Sequence, residues 1–120
     1  MKLSEARECR FEAFRQWLKA QPQLSPRAQG DADSRARRVE RDLFGGINLD
    51  AEYVKDQLAR VLQALEYSAE DVHDHKEPPA GLVFKVKHDN PRYYEKIKEG
   101  LNSLHTAVGL YRDFCVVTPR

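Results

Sequence analysis

The sequence contains no long apolar run, and that absence excludes several classes of protein. No stretch approaches the ~18 consecutive apolar residues that a membrane-spanning helix needs. The first residues, MKLSEARECRF, include acidic side chains where a secretory signal peptide needs an apolar segment. We therefore expect a soluble, cytoplasmic protein without a membrane partner.

Cysteine is also scarce, since the chain has only Cys9 and Cys115, near its opposite ends. Both lie in segments with a helical pattern, which predicts two buried, reduced thiols rather than a disulfide. His105 precedes Cys115 by about three helical turns and is too distant along one helix to activate it. The sequence thus offers no cysteine nucleophile.

Candidate metal ligands are few. His73 and His75 flank Asp74, and with Asp71 and His88 they offer nitrogen and oxygen atoms that zinc accepts. Alternate histidines point the same way only in an extended segment, so a polar loop is the favoured interpretation. We predict no metal, no cofactor, no small-molecule substrate and no enzymatic activity, with metal-assisted hydrolysis as the weakest alternative.

Size and charge indicate one globular domain spanning residues 1–120. Hydrophobic residues make up 41% of the chain and charged residues 32%, a balance typical of globular proteins with a well-solvated surface. The net charge of +1 argues against a strongly cationic nucleic-acid binder. The charges are unevenly distributed, however, with a local basic excess in residues 2–21 and an acidic one in 49–67.

Apolar residues recur in steps of three and four, which predicts an all-α bundle of four helices, or five with a short turn at 69–72. The first helix covers about 3–20, begins at Ser4 and ends before Pro22. The second begins at Ser25-Pro26, with serine as the cap and proline at the first helical position, and ends at Gly45-Gly46. Its small residues, Ala32 and Ala36, allow a neighbouring helix to come close.

The third predicted helix begins at Leu49-Asp50, with Asp50 as its cap, and runs without a break through an aliphatic stripe. The stripe consists of Val54, Leu58, Val61, Leu62 and Leu65. This stripe is the widest in the chain, which predicts that the third helix is the central helix of the bundle. A long loop follows over 67–89, in which LVFKVK at 82–87 is an extended segment on the bundle or half of a two-stranded element.

The last predicted helix starts at Asn90-Pro91 and carries an apolar row. The row consists of Tyr94, Ile97, Leu101, Leu104, Val108, Tyr111 and Cys115. Gly100 and Gly109 interrupt this helix at a cost in propensity, which is tolerable where another backbone packs closely. Tyr111 is interpreted as a packing residue.

Within this last helix, Ala107-Val108, Tyr111 and Phe114 resemble the closing helix of small modules at the amino ends of restriction-type nucleases and related phage proteins. Those modules are similar to the core-binding, SAM-like domain of tyrosine recombinases. Phe14-x-x-Trp17-Leu18, then Leu24-Ser25 opening a second helix, follow the same order. The resemblance spans about 11–114 and implies a helical, non-catalytic DNA-binding or adaptor module of a bacterial or phage restriction-modification system.

Two departures from that family pattern leave an unrelated bundle as the alternative. Family members often have an aromatic residue in the middle of the second helix, where this chain has Ala32 and Ala36. The loop at 67–89 is long.

A nucleic-acid site is predicted on the second helix, where SRARRVER places Arg35, Arg38 and Arg41 on one solvent face. The resemblance implies that the first helix also contacts the backbone, through Arg10 or Arg15, with Lys85 and Lys87 as outlying contacts. Asp31, Asp33, Glu40 and Asp42 neutralise part of this charge. Contacts of this kind position a protein on DNA without reading its sequence.

The alternative function is protein–protein interaction or formation of a small homo-oligomer, with no nucleic-acid role. An exposed part of the aromatic set would then meet a partner or a second copy. The candidates are Trp17, Tyr53, Tyr93 and Phe84. Phosphate binding weakens steeply with salt, whereas an apolar contact holds or strengthens, so salt dependence separates the two functions.

Overall fold

The computed structural model describes residues 4–119, and within that range it contains six α-helices and no strand. The helices are α1 (Glu5–Lys19), α2 (Pro26–Asp42), α3 (Leu49–Asp56), α4 (Ala59–Ala64), α5 (Ala69–His73) and α6 (Tyr93–Val117). A single 3-10 turn, Leu43–Gly45, follows α2. The predicted all-α fold is confirmed, with two helices more than the four principal ones expected.

The first two helices begin where the sequence predicts. Ser4 Oγ accepts a hydrogen bond from the Arg7 amide, and Ser25 Oγ accepts one from the Ala28 amide. Pro26 occupies the first turn of α2, where a missing N–H is harmless. Gly45 and Gly46 follow α2 with φ of 85° and 126°, conformations that favour glycine.

The longest helix, α6, forms the centre of the molecule and contacts each of the other five helices. Its most extensive contact is with α2, where Ala32 and Ala36 are buried against it, as their small size predicts. The prediction that the third segment is the central helix is therefore wrong. A 25-residue amphipathic helix buries more side chains than that broken segment can.

The third segment is broken because Gln57 and Leu58 both adopt left-handed backbone conformations, with φ of 59° and 68°. The break separates α3 from α4 and changes which side chains face the core. Leu58, Val61 and Leu65 are buried, but Val54 is 79% exposed. Periodicity alone predicts one continuous stripe, because neither residue at the break is a glycine or a proline.

The caps of α3 and α6 differ from those predicted. Asn48, not Asp50, caps α3 by accepting a hydrogen bond from the Ala51 amide. Helix α6 begins at Tyr93 rather than directly after Asn90-Pro91, because Asn90 first forms a turn by accepting bonds from the Arg92 and Tyr93 amides. The first buried residue of α6 is therefore Tyr93, whereas Tyr94, the first member of the predicted apolar row, is only half-buried.

Residues 80–87, named here the 80–87 segment, lie on the helices in a non-helical conformation. The Phe44 amide donates to the Ala80 carbonyl oxygen, which fixes the start of the segment at the end of α2. Leu82 is buried and Phe84 is half-buried, whereas Val83, Lys85 and Lys87 are exposed. This alternation agrees with a segment laid on the bundle, and within residues 4–119 it has no strand partner. The segment is not extended throughout, because the Val86 amide donates to the Phe84 carbonyl oxygen and the chain bends at Lys85.

The two glycines of α6 have different surroundings, and we expect opposite effects from replacing them with alanine. A Cβ at Gly100 would lie 2.5 Å from Cε1 of Phe84, so Gly100→Ala should displace that ring and lower the free energy of unfolding by about 1–2 kcal/mol. A Cβ at Gly109 meets nothing within 4 Å, so Gly109→Ala should raise it by about 1 kcal/mol. Urea unfolding of both variants checks the signs, and a gain in stability for Gly100→Ala would contradict the packing described.

Candidate nucleic-acid interface

Helix α2 carries its arginines outside the core. Ala32, Ala36 and Val39 face α6, while Arg35 and Arg41 are exposed and Arg38 is half-buried. Arg35 and Arg38 are one turn apart, about 5 Å along the helix axis. Arg35 and Arg41 thus lie on the solvent side of α2, and Arg38 lies at its edge.

Arg38 joins this face to the 80–87 segment. Its guanidinium lies over the ring of Phe84, 4.8 Å from the centroid, and donates a hydrogen bond to the Val83 carbonyl oxygen. Phe84 in turn packs on α6 at Gly100. The segment that carries the exposed lysines is thereby fixed against Arg38 of α2.

Lys85 and Lys87 point away from the core, because they alternate with the inward Phe84 and Val86. Neither lysine forms an ion pair with a carboxylate within residues 4–119. Both line an open hollow of about 630 Å³, together with Lys96 of α6 and the 89–91 turn. Lys96 was not among the residues predicted, because helical periodicity shows only that it is exposed.

Carboxylates accompany two of the arginines. Arg35 Nη2 lies 3.9 Å from Asp31 Oδ2, and Arg41 Nε lies 3.0 Å from Asp42 Oδ1. The hydrogen bond from Arg41 lowers the pKa of Asp42. Exposed pairs of this kind contribute only about 0–1 kcal/mol, so a polyanion can compete with them for the guanidinium groups.

The two arginines proposed on α1 do not join this surface. Helix α1 packs on the side of α2 that carries Arg37 and Glu40, whereas the 80–87 segment packs on the side of Arg38. Arg15 is exposed on α1. Arg10 has a side chain only 12% exposed and donates to Asp50 and to the Thr118 carbonyl oxygen, so its guanidinium serves an internal contact.

A buried ion cluster occupies the space between α1, α2, α3 and α6. Arg7 donates to Glu40 Oε1 at 2.5 Å and to Asp50 Oδ2 at 2.6 Å, and Arg10 Nε lies 3.1 Å from the same Asp50 oxygen. Burial alone would raise the pKa of Asp50, but the hydrogen bond and charge of Arg7 and the charge of Arg10 outweigh it and lower that pKa. The cluster ties four helices together.

Tyr111 and Cys115 complete this ion cluster from α6. The Tyr111 hydroxyl donates to Asp50 Oδ1 at 3.1 Å, and the Cys115 thiol donates to the same oxygen at 3.4 Å. Burial, with the charge of Asp50, raises the pKa of Cys115 to about 12, so the thiol is protonated and unreactive at neutral pH. Tyr111 is fully buried, which agrees with its interpretation as a packing residue.

Both cysteines are free thiols, but only Cys115 is buried. The prediction that Cys9 is buried is wrong. It lies on α1 outside the stripe formed by Phe11, Phe14 and Leu18.

The histidines of the long loop contact aromatic rings. His75 stacks on Tyr94 with centroids 4.4 Å apart and an interplanar angle of 5°, and His88 lies 4.3 Å from Tyr93. Within the described part of the chain, no three histidine, cysteine or acidic side chains are placed to hold a metal ion. The sequence gives no signal for these stacks, since each joins residues from different turns.

The four aromatic candidates for a protein contact are all at least partly covered. Tyr93 is buried, and Trp17, Tyr53 and Phe84 pack against the core. The exposed large apolar residues are instead Phe44, Val54, Val83, Val116 and Val117.

Among residues 4–119, no helix is both long enough and apolar enough to cross a membrane. Comparison with known proteins finds no family model, no curated protein and no solved structure that matches the chain. The fold class is thus defined by the structure itself, and a function has to be argued from the geometry of this surface.

Proposed function

We propose that this chain is a non-catalytic module that binds the phosphate backbone of nucleic acid. The surface would consist of the α2 arginines and the lysines of the 80–87 segment. Its members are Arg35, Arg38, Arg41, Lys85 and Lys87. The observation that supports this proposal most directly is the contact of Arg38 with Val83 and Phe84, which fixes the segment that carries the lysines against α2.

The charges of this surface suit a polyanion better than a single carboxylate. Lys85 and Lys87 have no ion-pair partner within residues 4–119, and they are two residues apart in a segment that bends at Lys85. Cations of this kind contact phosphates and release the counterions bound there. Because such contacts do not read bases, we expect binding without strong sequence preference.

The biological setting that we propose is the one implied by the resemblance. A module of this kind would hold a bacterial or phage DNA-processing or defence system on its substrate, while catalysis lies elsewhere. Arg10 is left out of the proposed contacts because the ion cluster occupies its guanidinium.

The double substitution Lys85→Gln/Lys87→Gln tests this function. Binding of a labelled 15-nucleotide strand and of a 15-base-pair duplex is measured by fluorescence anisotropy between about 50 and 200 mM salt, the range over which phosphate contacts weaken strongly. The slope of log K against log salt should fall by about 0.7–0.9 for each lost contact. Because both lysines are exposed, folding should be unchanged.

A matched control removes the same charge elsewhere, with Lys19→Gln/Arg112→Gln. Both residues are exposed, on α1 and near the end of α6, and neither forms an ion pair within residues 4–119. The control should bind like the unmodified protein. Equal losses in both double variants would mean that net charge, not this surface, attracts nucleic acid, and the proposed site would be wrong.

A protein contact is the second candidate function. It is favoured by a small, mainly apolar cleft of about 210 Å³ beside the ion cluster, lined in part by Tyr53, Val54, Cys115 and Pro119. Val116 and Val117 are also exposed on the last turn of α6. Self-association that strengthens with salt in sedimentation equilibrium, without nucleic-acid binding at low salt, would favour this candidate.

A further inference from the structure

Four rings from three parts of the chain meet at the start of α6. Tyr93 and Tyr94 are perpendicular to each other, with centroids 4.8 Å apart. His88 packs on Tyr93 and His75 stacks on Tyr94. Both histidines are exposed, so each imidazole presents ring surface to solvent while the tyrosines support it from behind.

Backbone hydrogen bonds hold both histidines in place. The Asn90 amide donates to the Lys87 carbonyl oxygen, and the Tyr93 amide donates to that of Asn90, which closes the turn around His88. On the other side, the His75 amide donates to the Val72 carbonyl oxygen. The rings are therefore preorganised, and a ligand that stacks on them need not order a loose loop.

His88 adjoins the basic hollow described above. Its neighbours in sequence, Lys87 and Asp89, both line that hollow, and Lys85 and Lys96 lie there too. The turn that carries this exposed ring thus borders a hollow with three lysines, of which Lys96 is paired with Glu99, and with the Asp89 carboxylate. A ligand that matches both the exposed ring and the lysines carries a flat ring and, a short distance from it, phosphate groups.

Single-stranded nucleic acid has this chemistry, whereas a duplex does not expose the faces of its bases. Charge alone favours the duplex, because its phosphates are denser. Stacking on aromatic side chains is available only to unpaired bases and tolerates any sequence.

We propose that this surface selects single strands, with phosphates in the hollow of Lys85, Lys87 and Lys96 and a base stacked on His88. His75 would offer a second ring to a neighbouring base. This inference rests on the proposed nucleic-acid function and specifies the form of nucleic acid that is bound.

The test compares four labelled 15-unit ligands in the same anisotropy titration: oligo-dT, oligo-rU, an abasic strand with the same phosphates, and a dT·dA duplex. We expect oligo-dT or oligo-rU to bind about tenfold tighter than the abasic strand for each stacked base. Either strand should also bind more tightly than the duplex. His88→Ala should remove most of this preference and leave binding of the abasic strand unchanged, while His88→Phe should retain it.

His73→Ala is the matched control, since His73 is exposed on α5 and makes no aromatic contact within residues 4–119. It should bind like the unmodified protein, and circular dichroism confirms that each variant is folded. Equal binding of oligo-dT, oligo-rU and the abasic strand, or tighter binding of the duplex, would overturn the single-strand inference and leave phosphate binding intact. If none of the four ligands binds at low salt, the nucleic-acid function itself is wrong.

Discussion

Replacing Asp50 with asparagine is expected to lower the free energy of unfolding by about 3–5 kcal/mol, the usual consequence of breaking a buried ion pair from one side. The Asp50 carboxylate accepts from Arg7, Arg10 and Tyr111 and is only 3% exposed. Asparagine has nearly the same shape but no charge, so Arg10 would lose its carboxylate partner while remaining mostly buried. Urea unfolding followed by circular dichroism measures the change.

Glu52→Gln provides the control for this prediction. Glu52 is also buried, but its partners Lys55 and Arg60 are exposed, with side chains 68% and 57% accessible. Water therefore replaces the lost contacts, and the cost should stay near 0–1 kcal/mol. Similar costs for the two variants would show that the ion cluster contributes nothing particular to stability.

The pH dependence of the Asp50 variant follows from the lowered pKa of this carboxyl. A carboxyl whose pKa is lower in the folded state stabilises the fold above its unfolded pKa, about 3.9, and that contribution is lost as the pH falls. The difference in stability between the unmodified protein and Asp50→Asn should accordingly be largest near neutral pH. It should shrink when the unfolding curves are repeated below about pH 4.

Replacing Gly81 with alanine is expected to lower the free energy of unfolding by about 3 kcal/mol. Gly81 has a φ of 90°, and a Cβ there would overlap the Asp42 carbonyl oxygen and crowd the Gly45 and Phe44 amides. These are backbone atoms at the end of α2, so they cannot relieve the overlap by a change of rotamer as a side chain could. The start of the 80–87 segment would have to move away from the end of α2.

Gly45→Ala separates the two causes of that loss. Gly45 also has a positive φ, of 85°, but a Cβ there meets nothing within 4 Å. Gly45→Ala should lower the free energy of unfolding only by the cost of placing an alanine at positive φ, about 1 kcal/mol. Gly81→Ala should in addition weaken the proposed nucleic-acid binding, because the segment that carries Lys85 and Lys87 would no longer be fixed at the end of α2, whereas Gly45→Ala should not.

The helices that sequence analysis identifies well are those whose ends carry local signals. Ser4, Ser25-Pro26 and Gly45-Gly46 act through atoms within a few residues, and the structure uses them as predicted. The break after Asp56 depends on tertiary packing, because Gln57 and Leu58 adopt left-handed conformations that their residue types do not favour. The role of Asp50 is missed for a related reason: its partners lie 40 or more residues away in sequence.

The candidate site was predictable to the extent that it lies on one helix. Helical spacing places Arg35 and Arg38 together without further information. The contact of Arg38 with the 80–87 segment depends on how that segment packs on α2, which is decided by the close approach at Gly81 and by the fit of Phe84 against Gly100. The pairing of His75 with Tyr94 and of His88 with Tyr93 likewise exists only after α6 has docked.

The position of α6 as the last of the described helices has a consequence for synthesis in the cell. The rings of Phe11 and Phe14 pack against Tyr111, and Phe14 also packs against Phe114, so α1 has no complete core partner until the end of α6 has been made. A nascent chain that still lacks this helix exposes apolar surface of the kind that chaperones bind. The aromatic core of α1 should therefore close only after residue 114 has been made.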